Sequence, residues 1–152
     1  MKSLLSAFFV LLLVRCGEPQ SGGVSLTILD ASAKRETQYL DVACTAVLEN
    51  RTGSSLTVTS SFFSAFDGLS LVVTSDDDRQ LASQGYAMHQ SPSTFEGRPF
   101  VLPPGRTTQE MRFPIFALTN APESVRLQLV GHLPRSTFTA GLTSGIVRVA
   151  IR

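Results

Sequence analysis

The stretch LDVACTAVLE at positions 40–49 decides the fold of this chain. Every second residue is apolar, from Leu40 to Leu48, whereas Asp41 and Thr45 belong to the intervening set. Successive side chains of a strand point to opposite faces, so a period of two puts one apolar face against a core. The stretch therefore predicts a β-strand that covers a core on one side only.

Shorter runs with the same alternation occur on both sides of this strand, and turn residues separate them. We count about seven predicted strands and no helical period of useful length, although residues 32–39 and 116–121 could each form a short helical turn. The pattern predicts an all-β, antiparallel Greek-key sandwich. The apolar sets that support it are Val24/Leu26/Ile28, Leu56/Val58, Leu69/Leu71/Val73, Met111/Phe113/Ile115, Val125/Leu127/Leu129 and Val147/Val149/Ile151.

Two connections carry specific expectations. The turn residues at 50–55 are expected to join the strand at 40–49 to the run that begins at Leu56 as a hairpin. Residues 81–99 keep neither period, so we predict a long loop over one end of the sandwich. Because binding residues concentrate on loops that a rigid scaffold carries, this loop is the first candidate for a partner surface.

The composition limits the number of domains and the classes of partner. A chain of 152 residues fits one domain of common size. Its net charge is +1, and loss of Lys2 and Arg15 with a leader would make it slightly negative. A near-neutral surface gives no electrostatic footprint for nucleic acid and no attraction to anionic lipid. We expect no nucleic-acid partner, and membrane contact only through an anchor.

The first residues are typical of an export signal. Lys2 gives a positive start, and the apolar run 4–14 is interrupted only by Ser6. Eleven helical residues rise about 16 Å, roughly half of a hydrocarbon core, which fits a signal peptide and not a permanent span. We predict an export segment at 1–16, a flexible tether at 17–23 and one sandwich domain at 24–152.

The residues Leu13-Val14-Arg15-Cys16 resemble the lipobox of bacterial lipoproteins. The resemblance implies that the Cys16 thiol is lipidated and that Cys16 becomes the new N-terminus. Arg15 departs from the small residue that the motif has before its cysteine. Two alternatives stay open, namely secretion after cleavage near this point and an uncleaved N-terminal anchor.

The second cysteine, Cys44, belongs to the apolar set of the strand at 40–49. If Cys16 is acylated, Cys44 has no intramolecular partner, and its place in the pattern predicts a buried, inert thiol. The alternative is a disulfide between Cys16 and Cys44, which would tie the tether to a core strand.

Two stretches, LENRTGSSLTV at 48–58 and LPPG at 102–105 leading into FPI at 113–115, resemble turns of bacterial immunoglobulin-like domains. These domains include the BsuPI-type proteinase-inhibitor domain and many envelope lipoproteins. The resemblance implies an immunoglobulin-like sandwich, and it makes a proteinase-inhibitor-like function one alternative.

We find no catalytic constellation in the sequence. His89 and His132 are the two histidines, no Gly-x-Ser-x-Gly elbow is present, and no glycine-rich phosphate loop precedes a helix. We therefore expect no enzymatic activity and no cofactor. Three adjacent acidic residues, Asp76 to Asp78, could begin a calcium loop, and the alternative is a solvated hairpin tip.

Copper is the sharpest alternative to a plain binding domain. Thioether and imidazole ligands suit copper, so Met88, His89, Met111 and His132 could form a site if the long loop folds over one end of the sandwich. This set loosely resembles that of periplasmic copper chaperones. Met111 is nevertheless expected on the inward face of its strand, where methionine usually fills a core.

The sequence as a whole indicates a non-enzymatic, exported domain of the cell envelope. An export signal precedes a sandwich without a reactive site, so we expect a binding or structural module that presents loops to a protein or another envelope partner. The lipid anchor, when Cys16 is processed, places it on a membrane; otherwise it is periplasmic or secreted.

Overall fold

The computed structural model describes residues 23–59, 64–86, 99–116, 118, 122–133 and 141–152. Strands dominate these residues, and no helix among them is long and apolar enough to cross a membrane. The all-β prediction is confirmed, with ten strands where about seven were predicted. They are β1 (Val24–Arg35), β2 (Leu40–Asn50), β3 (Leu56–Thr59), β4 (Leu69–Thr74), β5 (Gln80–Gly85), β6 (Pro99–Leu102), β7 (Gly105–Ile115), β8 (Ser124–Gly131), β9 (Leu142–Thr143) and β10 (Val147–Ala150).

The strands form two main antiparallel sheets and one small pair. The first sheet has the order β1-β2-β7, and the second has the order β10-β8-β4-β5, with β9 also on β8. Strands β3 and β6 pair separately as a two-stranded sheet. The inward faces of the two main sheets pack on each other, as in a β-sandwich.

Strand β2 is the centre of the first sheet, as its sequence predicts. It pairs along its whole length with β1 on one side and with β7 on the other. Its apolar set from Leu40 to Leu48 is buried. Full burial of one such leucine contributes about 1.5–3 kcal/mol, so this face is a main source of stability. Val47, on the opposite face, is also buried but lies outside the core cluster.

The second sheet supplies the other half of the core. Alternating residues of β4 and β8 point inward, so the face periodicity predicted for both strands is confirmed. The largest fully buried side chains of the two sheets are Leu40, Leu48, Met111, Phe113, Leu69, Leu71, Leu127, Leu129 and Leu142.

A short seam joins the two sheets along one edge. Ala33 of β1 and Ile151 form a parallel bridge. The Arg35 amide donates to the Arg152 carbonyl at 2.8 Å, and the Arg152 amide donates to the Ala33 carbonyl at 3.0 Å. These bonds fix the strand directions of one sheet relative to the other.

The strand directions sort the turns into two ends of the sandwich. At the tether end, Val24, Asn50 and Gly105 are register partners across the first sheet, and Leu69 pairs with Gly131 in the second. At the aspartate-turn end lie the β1–β2 turn at 36–39, the β4–β5 turn at 75–79 and the beginning of β8.

Three local predictions were wrong. Residues 40–49 and the run from Leu56 do not form a hairpin, because β7 occupies that edge of β2 and β3 pairs with β6. Residues 32–35 continue β1 instead of forming a helical turn. The predicted loop at 81–99 begins with β5, which pairs with β4; residues 87–98 lie outside the described part of the chain.

A β-bulge explains why the second half of β1 was missed. The register with β2 shifts between Ile28 and Asp30, which leaves Leu29 outward and 64% exposed. One extra residue moves the inward set from even to odd positions, so Ala31 and Ala33 face inward after the bulge. A single period of two cannot detect a strand that changes phase.

Candidate functional site

The three aspartates at 76–78 belong to a tight hairpin turn between β4 and β5. The Ser75 amide donates to the Arg79 carbonyl at 2.9 Å, and the Asp78 amide donates to the Ser75 carbonyl at 3.1 Å. Asp78 has a φ of 64°, a left-handed conformation that aspartate tolerates better than most residues. The solvated hairpin tip is therefore the interpretation that the structure supports.

Each aspartate of this turn has a partner within the protein. Arg148 of β10 donates from Nε to Asp76 Oδ1 at 2.9 Å and from Nη2 to Asp76 Oδ2 at 2.7 Å. Ser124 Oγ donates to Asp76 Oδ2 at 2.7 Å. Arg126 binds Asp78, and Ser75 donates to Asp77. The turn is thus tied to β8 and β10 of its own sheet.

These contacts favour the charged forms of Asp76 and Asp77. The hydrogen bond from Arg148, with a smaller contribution from Ser124, lowers the pKa of Asp76. The Ser75 hydroxyl lowers the pKa of Asp77. The arginines already neutralise two of the three charges, and the described residues contain no group of three His, Cys, Asp or Glu side chains fit to hold a metal ion.

An open groove of about 400 Å³ lies beside the turn. Its polar wall comes from the turn itself, and its apolar wall comes from β5 and the connection between β7 and β8. The arrangement can hold a small polar or apolar group; its described lining contains no histidine, cysteine or lysine. The lining residues are Ser75, Asp76, Asp77, Arg79, Leu81, Leu118, Pro122 and Ser124.

An aromatic pair, Tyr39 and Phe116, lies at the same end of the sandwich. The ring centroids of Tyr39 and Phe116 are 5.3 Å apart, and Phe116 is 63% exposed. Both residues flank the register pair Leu40 and Ile115 at the end of the first sheet. Each stands alone as an aromatic at the end of its strand, so no sequence signal predicted their contact.

A second polar site lies at the opposite end, where Asn50 connects two turns. Its Nδ2 donates to the carbonyls of Ser54 at 2.8 Å, Leu102 at 3.1 Å and Pro103 at 3.3 Å. Its Oδ1 accepts from the Thr52 amide at 3.0 Å and from the Thr52 hydroxyl at 2.7 Å. Asn50 is only 2% exposed, so this amide fixes the turns at 50–55 and 102–105 against each other.

Two of the four residues of the copper hypothesis, Met111 and His132, are described, and their surroundings differ. Met111 is 1% exposed in the core, with Cys44 as its register partner. His132 is exposed beyond the end of β8, where its amide donates to the Gly68 carbonyl at 3.3 Å. Met88 and His89 lie outside the described residues. Of the two described residues of the set, one is therefore buried in the core and the other is exposed at the end of β8.

The two cysteines also differ. Cys44 is a free, buried thiol, and burial together with the nearby charge of Asp30 raises its pKa to about 11. A protonated thiol of this kind is a poor nucleophile, and it is not in a disulfide with Cys16. Cys16, with the export segment and most of the tether, lies outside the described residues.

No protein-family model and no curated protein matches this chain. Among solved structures, it is similar to a crystal structure of a Bordetella pertussis protein to which the name ApaA has been assigned. The alignment has 12% sequence identity and covers 84% of this chain and 93% of that one, with a TM-score of 0.43. A superposition this loose carries no argument about function.

Proposed function

We propose that this protein is a non-enzymatic binding or structural module of the cell envelope, exported and held on a membrane by lipid at Cys16. The observation that carries the proposal is the position where the fold starts. Strand β1 begins at Val24, directly after the leader-like run 4–14, Cys16 and the seven-residue tether at 17–23.

The chemistry of the described side chains supports a binding role over catalysis. Asp76 and Asp78 of the aspartate turn are bound by side chains of β8 and β10, which stabilises the turn and leaves the two carboxylates poorly suited to proton transfer. Cys44 is buried and protonated. The candidate partner surface is the aspartate-turn end, because it contains the groove and the exposed ring of Phe116.

The anchor is tested by the intact mass of the protein from a membrane fraction. We expect the mass of a chain that begins at Cys16 and carries a diacylglyceryl group. The Cys16→Ser variant should lack the lipid mass and move to the soluble fraction. The Cys44→Ala variant should keep the lipid mass and stay in the membrane fraction. A wild-type chain without lipid would refute the anchoring.

The binding role is tested by cross-linking in intact cells. We expect a photoreactive residue at Phe116 to capture a discrete partner, and one at Glu110, an exposed residue of β7, to capture less of it. A broad substrate panel of esters, peptides and glycosides should show no turnover. Turnover that one point substitution abolishes would replace the proposal with an enzymatic function.

A further inference from the structure

We infer that lipid at Cys16 holds the tether end of the sandwich beside the bilayer and directs the aspartate-turn end away from it. This orientation rests on the proposed anchoring at Cys16. It places the tether end next to the bilayer and the aspartate-turn end in the envelope space. It follows from the strand directions and the chain lengths.

The folded domain holds the incoming chain firmly from Gly23 onward. The Gly23 carbonyl accepts from the Arg51 amide at 2.5 Å, and Val24 pairs with Asn50. Gly23 has a φ of +79°, and a Cβ there would lie 2.8 Å from Thr52 Cγ2. The attachment point of the tether is therefore a defined position at one end of the first sheet.

In both sheets, one end of the strands lies near this attachment point and the other end lies a strand length away from it. In the first sheet, β1 leads from Val24 to Arg35, where the β1–β2 turn begins. The seam between Ala33 and Ile151 transfers this direction to the second sheet, in which Ala150 pairs with Ser124. The aspartate turn and the groove are therefore a full strand length away from the tether.

The tether is too short for the domain to turn over. Strand β2 has 11 residues, and the steps between them, at about 3.3 Å each, add up to roughly 33 Å along the sandwich. Residues 17–23 span at most about 25 Å when fully extended. An inverted domain would have its aspartate-turn end against the bilayer. The tether would then have to reach past the whole length of the domain. The anchored domain can tilt, but it cannot stand upright with its tether end uppermost, so its aspartate-turn end is on average the more distant one.

The orientation decides which surfaces a partner in the envelope space can reach. The groove and the pair Tyr39–Phe116 face that space. Gly85, the last residue of β5, and Gly131, the last residue of β8, lie at the bilayer end. At Gly85, the segment that the sequence marked as the first candidate for a partner surface therefore lies at the bilayer end.

The experiment compares single fluorophores at three heights on the lipidated protein. In a Cys44→Ala background, with Cys16 blocked by its lipid, one cysteine is introduced as His132→Cys, Glu110→Cys or Gln38→Cys. All three native residues are exposed. Each labelled protein is added to preformed phosphatidylcholine vesicles that contain a lipid with a nitroxide on its headgroup, and fluorescence quenching is measured.

We expect quenching to be several times stronger at position 132 than at position 38, with position 110 between them. The Cys16→Ser chain, carrying the same labels, should show no quenching at any position. Equal quenching at all three positions of a lipidated chain, or the reverse order, overturns the orientation and leaves the anchor intact. A chain whose intact mass lacks the lipid overturns both, and the mass distinguishes the two failures.

Discussion

The two ends of this sandwich each depend on a polar cluster, but the clusters differ in burial and in charge. At the tether end a neutral amide, Asn50, is 2% exposed and makes five hydrogen bonds. At the other end Asp76, Asp78, Arg126 and Arg148 form ion pairs on the surface. Water competes for exposed charges but not for a buried amide. The Asn50 cluster should therefore contribute more to stability than the surface ion pairs.

The loss of a core side chain is the reference for this comparison, and Leu127→Ala should lower the free energy of unfolding the most. Its side chain is fully buried, so truncation should lower the free energy of unfolding by about 2–5 kcal/mol. Gln128→Ala, on the opposite face, should cost much less, although Gln128 Nε2 donates to the Ser144 carbonyl at 3.0 Å. Urea unfolding of both variants checks this, and equal losses would mean that the register of β8 is wrong.

Asn50→Ala should have the next largest effect, a loss of about 3 kcal/mol, because the buried carbonyl of Leu102 and two others lose their donor. Asn50→Asp should cost at least as much, since it removes the donor and places a charge among carbonyls. Ser54→Ala is the matched control, because it keeps the carbonyl that Asn50 binds. If urea unfolding shows that Asn50→Ala lowers the free energy of unfolding no more than Ser54→Ala does, the Asn50 cluster does not contribute more stability than the ion pairs.

Asp76→Asn should lower the stability less than Asn50→Ala does, and the loss should shrink in high salt, since the charges are exposed. Arg148 lowers the pKa of Asp76 below its ordinary value of 3.8. The carboxylate therefore contributes stability above pH 3.8, and this contribution disappears as the pH falls through the lower folded value. The difference in unfolding midpoint between wild type and variant should vanish in strong acid; a difference that persists there would contradict the ion pair.

The contribution of Cys44 to stability should depend on pH only in the alkaline range. Its pKa rises from 9.0 to about 11 in the folded chain, so the unfolded thiol ionises first. The contribution of the neutral thiol is complete below pH 9 and is lost as the pH rises from 9 toward 11. The unfolding midpoint of wild type should fall in this range relative to Cys44→Ala. Parallel pH profiles for the two proteins would contradict a buried, protonated Cys44.

The sequence predicted the strands wherever one alternation runs without interruption. Strands β2, β4, β7 and β8 follow from such runs, and their inward residues are buried as expected. The bulge at Leu29 and the polar strand β5 were missed, because one changes phase and the other has little apolar character. The predicted pairing between 40–49 and 56–58 was wrong, because turn residues identify a turn and not the edge on which the next strand pairs.

The candidate surfaces were less predictable than the strands. Asp76 to Asp78 were recognised as a turn, but their partners Arg126 and Arg148 are far away in the chain. The same is true of Tyr39 and Phe116, which meet only because Leu40 pairs with Ile115. Local sequence contains no information on such contacts until the sheet order is known.

The sequence by itself determined the all-β class, the inward faces of the main strands and the buried position of Cys44, because these depend on alternation between apolar and polar neighbours. Tertiary structure alone decided which strands pair, how Asn50 connects two turns, and which turns share an end with the tether. Those features depend on contacts between residues distant in the chain, and they form only when both sheets close on a common core.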